Sequence, residues 1–87
     1  MLSEVIDWMK KNSSYNINVI NNELTTSVVI DYDNEKVLAR FIFWDDNSCM
    51  LEVMDINTGK YILNERHEVD GIKDFAVFFE KFKRSLE

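Results

Sequence analysis

The stretch Val37–Val69, VLARFIFWDDNSCMLEVMDINTGKYILNERHEV, decides the fold, because two short polar breaks divide it into three segments of alternating hydrophobicity. In the first segment Val37, Ala39, Phe41 and Phe43 share one side, and Leu38, Arg40, Ile42 and Trp44 share the other. In the second, Cys49, Leu51 and Val53 alternate with Met50, Glu52 and Met54; the third sets Tyr61 and Leu63 against Ile62, Asn64 and Arg66. Asp45–Ser48 and Asn57–Lys60 are rich in turn-forming residues, and Gly59 is available for a positive φ. Strands joined this closely pair with their sequence neighbours, so the stretch predicts an antiparallel meander.

Upstream, Val28, Ile30 and Tyr32 alternate within Leu24–Tyr32, and Asp33, Asn34 and Glu35 turn the chain into the meander. Tyr15, Ile17 and Val19 alternate with asparagines in a weaker, edge-like first strand. Before it, Leu2, Val5, Ile6 and Met9 form the apolar stripe of a short helix from about Glu4 to Lys11, flanked by Trp8 and with Ser3 as its cap. After Val69 the period becomes helical again. Ile72, Phe75, Phe79, Phe82 and Leu86 recur on one face, Phe78 broadens it, and Asp70 is placed to cap the start. Together these segments predict an α+β fold of two layers, αβββββα: a meander of about five strands, with an N-terminal and a C-terminal helix on one face.

With 87 residues, no proline and only two glycines, the chain reads as a single domain over residues 1–87. Its 46% apolar and 30% charged residues give a globular balance with no run long enough to span a bilayer. Glu4 and Asp7 lie where a secretion signal needs a basic start and a continuous apolar segment, so a cytoplasmic location is the expectation. The single Cys49 has no disulfide partner within the chain, and on the inward side of its strand it reads as a packed thiol.

Catalytic patterns find little support. His67, near a strand end and expected at a sheet margin, has no nucleophile motif around it. Cys49, Glu65, His67 and Glu68 lack metal-ligand spacing, and Asp31, Asp33 and Glu35 lack the glycine and the closing glutamate of a calcium loop. Asp45 and Asp46, adjacent in a turn, have no apolar pocket to separate their pKa values. The expectation is a non-enzymatic protein without cofactor or metal.

Residues 31–55 contain seven acids against two bases, and so hold −5 of the net charge of −6. A field localised in this way steers a basic partner and disfavours nucleic acid. If the helices cover Phe41, Phe43, Leu51 and Val53, then Arg40, Ile42, Trp44, Met50, Glu52 and Met54 point away from them. Few open sheet faces carry so much apolar area. These residues, with Asp45 and Asp46 at the rim, are the candidate partner-binding set. The structural alternative is a face covered by the first helix, by a terminal segment or by a second copy of the chain.

Ala39-Arg40-Phe41-Ile42-Phe43-Trp44-Asp45, followed by Ser48-Cys49, Leu51-Glu52-Val53, Asp55-Ile56 and Thr58-Gly59, resembles the TriTu family of small bacterial immunity proteins over roughly the middle half of the chain. Asn47-Ser48 departs from the glycine expected in that turn, and Met50 and Met54 make the outer side more apolar. The resemblance implies a protein made beside a polymorphic toxin that binds the toxin and protects the producing cell. The family's namesake is paired with an ADP-ribosyltransferase that attacks elongation factor Tu. The expected partner is therefore a cognate toxin domain with a basic surface, neutralised by stoichiometric occlusion. The alternative is a non-toxin acidic interaction module, such as a small dimeric adaptor or secretion chaperone, with the outer face used to form a homodimer.

Overall fold

The computed structural model describes residues 1–87 as α1 (Leu2–Asn12), β1 (Asn18–Asn21), β2 (Thr26–Asp33), β3 (Val37–Trp44), β4 (Ser48–Asp55), β5 (Tyr61–Glu68) and α2 (Gly71–Ser85). The strands form one antiparallel sheet in sequence order, β1-β2-β3-β4-β5, as connections this short require. This is the expected αβββββα meander.

Side chains build the turns. Between β2 and β3, Asn34 Oδ1 accepts the N–H groups of Lys36 at 2.7 Å and Val37 at 2.9 Å. Between β3 and β4, the Asn47 N–H donates to the Trp44 carbonyl at 3.0 Å, and Asn47 itself adopts φ 64°. Asparagine enters this left-handed region more readily than most side chains, so the turn closes without a glycine. Gly59, at φ 70°, does the same between β4 and β5, where its N–H reaches the Asp55 carbonyl at 2.8 Å.

Both helices pack on the side of the sheet that presents Phe41, Phe43, Cys49, Leu51 and Val53, and a continuous core of 16 buried residues joins them to it, Val5 and Met9 of α1 included. The helical period of α2 brings Phe75, Phe79 and Phe82 within 5.3–5.6 Å of Phe41, ring centre to ring centre and edge to face. Trp8 closes the helix pair, 5.6 Å from Phe75 and 5.3 Å from Phe79. Burying each phenylalanine contributes about 1.5–3 kcal/mol, as does each buried aliphatic side chain around them. Since α1 lies on the same side as α2, no element of the chain covers the opposite face.

Several local expectations are corrected. The first helix begins at Leu2, with Met1 at its N-cap and no side-chain cap, so Ser3 already lies in the first turn. Asp70 does stand at the N-cap of α2 without a capping side-chain bond; instead Asp74 Oδ2 accepts the Asp70 N–H at 2.8 Å. Tyr15 and Ile17 precede β1 rather than belonging to it, because they pack on the core, with Tyr15 edge-on to Tyr32 at 5.6 Å. Leu24, expected in the second strand, projects from the β1–β2 turn at 92% exposure. A register irregularity between Val53 and Met54 pairs Leu63 with Val53 but Tyr61 with Met54. This bulge puts Tyr61 on the outer face, opposite in orientation to Leu63, which the simple alternation had placed beside it.

Candidate partner-binding face

Strand pairing turns the outer alternation of each strand into cross-strand rows. Val29, Ile42, Met50 and Arg66 form one; Asp31, Arg40, Glu52 and Asn64 form the next; Asp33, Leu38, Met54 and Tyr61 the third. Ser27 and Trp44 pair at the opposite end of the sheet. An apolar band, a charged band and a mixed margin therefore lie side by side. Ile42, Trp44, Met50, Glu52 and Met54 are half-buried by their neighbours and Arg40 is exposed. The spacing of β3 and β4 thus brings six of the sequence-derived candidates onto one surface.

The charged band is internally paired. Arg40 Nε lies 2.7 Å from Asp31 Oδ1, with both side chains about half exposed, and this hydrogen bond raises the guanidinium pKa above its ordinary value. Tyr61 donates its hydroxyl to Glu52 Oε2 at 3.3 Å. At the other end, Arg66 reaches across β4 and sets its guanidinium 4.5 Å from the centre of the Trp44 ring.

Asp45 and Asp46, expected at the rim as charges, also build the hairpin. The Asp45 N–H donates to the Thr26 carbonyl at 2.9 Å, and Asp45 Oδ2 accepts the Thr26 N–H at 2.8 Å, so this acid closes the end of β2 against β3. Asp46 Oδ1 accepts from Ser48 twice, from N at 3.0 Å and from Oγ at 2.5 Å. The Ser48 hydroxyl, foremost, holds the Asp46 carboxyl below its usual range.

Sequence reasoning had not singled out Asp31, Asp33, Leu38, Tyr61 and Arg66 as members of this face. Leu38 and Arg66 were legible from their outward position in the alternation. Tyr61 was not, because the bulge inverts it, and Asp31 and Asp33 required the register of β2 against β3.

The remaining chemistry-bearing groups lie on the helix side. Cys49 is fully buried, and burial pushes its thiol pKa up to about 11. His67 stacks on Phe78 at 4.1 Å and shares a 2.7 Å hydrogen bond with Glu65 Oε1, while Lys81 Nζ binds both Glu65 oxygens at 2.9 and 2.6 Å. Together they clamp α2 to the edge strand β5. Lys81, then His67, hold the Glu65 carboxyl below its ordinary range. Glu68 pairs with Ser48, one register position from these inward residues, and so faces away from them.

A family model described as Immunity protein TriTu matches residues 3–84. The chain belongs to the TriTu family of immunity proteins. The match spans both helices and the whole sheet, well beyond the meander segments that carried the resemblance. No individually curated protein matches the chain. Membership in TriTu implies a toxin as the partner, and no helix is long and apolar enough to cross a membrane.

Proposed function

We propose that this TriTu protein neutralises its cognate toxin by stoichiometric binding through the outer sheet face, without turnover. One observation carries the reading: the two helices share one side of the sheet, leaving bare a face whose apolar band of Ile42, Trp44 and Met50 is bordered by carboxylates. Solvent is a poor neighbour for such a band, and desolvating a large aromatic at the centre of an interface is the commonest source of binding energy. Arg40, Glu52 and Met54 extend the contact along β3 and β4, away from the hairpin between them. Asp45 and Asp46 supply negative potential at the hairpin, which favours a toxin domain with a basic surface and speeds encounter. Inhibition follows from occupying the toxin's active site or its target-docking surface.

Co-expression with the cognate toxin domain, scored for growth rescue and for a one-to-one complex by light scattering, tests the proposal. Rescue without a complex would exclude stoichiometric occlusion. A homodimer that dissociates when Ile42 or Trp44 is substituted, and persists in the presence of toxin, would favour the dimeric adaptor.

A further inference from the structure

At the margin remote from the β3–β4 hairpin, the outer face opens into a cleft of ≈ 330 Å³ that crosses β2, β3, β4 and β5. We propose that this cleft receives an arginine side chain of the toxin, with its methylene stem on Leu38 and Met54 and its guanidinium directed at Glu52 and Asp33. The inference rests on the reading of the outer face as the toxin-binding surface.

Leu38 and Met54 are cross-strand partners, and Leu38 is 46% exposed; together they form an apolar floor suited to the stem of a long basic side chain. Around it stand Asp31, Asp33 and Glu52, three carboxylates against the single guanidinium of Arg40. Arg40 is bonded to Asp31 and stands opposite Glu52 across the β3–β4 pair, so one guanidinium serves three carboxylates and the cleft keeps an excess of negative charge. Glu52 has only the long bond from Tyr61, and Asp33 makes no side-chain hydrogen bond or ion pair. The cleft thus has charge to complement and acceptors to fill.

Arginine fits this chemistry better than lysine. Its planar fork engages a carboxylate with two parallel bonds, and its face stacks on an aromatic ring such as Tyr61. At the other end Arg66 already holds the cation position over the Trp44 ring, so a partner cation there meets the hairpin carboxylates and not the ring. A face that accepts a cation at one end and apolar contact at the other fixes the orientation of whatever docks on it.

The test uses the whole chain and two probes. Amide chemical shifts are followed during titration with N-acetyl-arginine amide, against the uncharged citrulline analogue and the lysine amide. Saturable shifts confined to residues 31–33, 38–40, 52–54 and 61, larger for arginine than for either control and abolished by Asp33→Asn with Glu52→Gln, are expected. No shifts, or equal shifts with citrulline, would overturn the arginine site; equal shifts with lysine would reduce it to unspecific cation attraction. The second probe is the toxin domain. Glu52→Gln is expected to weaken its binding roughly tenfold and to reduce its salt dependence. If the variant leaves toxin affinity untouched while Trp44→Ala reduces it, the cleft assignment falls and the outer face stands as the interface. If neither substitution matters, the outer-face reading itself falls, and the cleft inference with it.

Discussion

The guanidinium of Arg66 lies 4.5 Å from the centre of the Trp44 ring, so the one tryptophan of the outer face is partly roofed by a cation from β5. Docking on this face must either displace Arg66 or bury it with the ring. Trp44→Ala is expected to weaken toxin binding by about 2 kcal/mol or more, chiefly through faster dissociation, while unfolding stays cooperative. Arg66→Ala leaves the ring available and is expected to cost less binding, and about 0.5–1 kcal/mol of stability. Dissociation rates and urea titrations of both variants check this. Loss of the fold in Trp44→Ala would assign the ring to structure rather than to recognition.

Phe79 is fully buried and lies 5.3 Å from both Trp8 and Phe41, centre to centre. Its truncation leaves a cavity where α1, α2 and β3 meet, and Phe79→Ala is expected to cost about 3–5 kcal/mol. Against the few kcal/mol that hold a chain of this size folded, that loss is severe. The urea midpoint measures it, and an unchanged midpoint would show that the helices do not depend on this contact.

Asp45 carries both a charge and a hydrogen bond, and two substitutions separate them. Asp45→Asn keeps an oxygen for the Thr26 N–H, which Asp45 Oδ2 now accepts at 2.8 Å; Asp45→Ala removes it and is expected to destabilise the protein by about 1 kcal/mol. Asp45→Asn combined with Asp46→Asn keeps an acceptor oxygen at both positions while removing both charges, and should slow toxin association and flatten its salt dependence. Stopped-flow association at low and high salt decides this. Equal salt slopes for the variant and the parent would remove the hairpin from electrostatic steering.

Glu65 links stability to pH. Its bonds to Lys81 and His67 hold its folded pKa below the ordinary 4.5. A depressed carboxyl contributes stability that is complete above its unfolded pKa and is lost as pH falls through the folded value. The clamp between β5 and α2 should therefore weaken in the acid range below about pH 4.5, and Glu65→Gln should make the acid-side slope shallower. Melting temperatures measured from about pH 6 to about pH 3 check this. The same slope in both proteins would place the acid sensitivity elsewhere.

The sequence by itself determined the order of elements, the antiparallel meander and which residues of a strand share a face, because each depends on local features. A period of two shows which residues of β3 and β4 share a side; a helical period seats Phe75, Phe79 and Phe82 together; asparagine, aspartate and glycine at the breaks set the turns. The family resemblance was legible in those same segments. Which face the two helices cover was not, since an amphipathic stripe gives a helix a buried side without naming the surface it meets. The register was not legible either. A one-residue irregularity beside Val53 moves Tyr61 to the outer face, against the alternation of its own strand, because bulges arise from the fit of two strands and not from one sequence. Arg66 over Trp44, Asp45 against Thr26, and Glu65 bonded to Lys81 were likewise decided only by tertiary structure. Each joins groups on separate elements or across a strand, where the reach of a side chain and the pairing of distant segments set the distance, and no spacing along the chain encodes it.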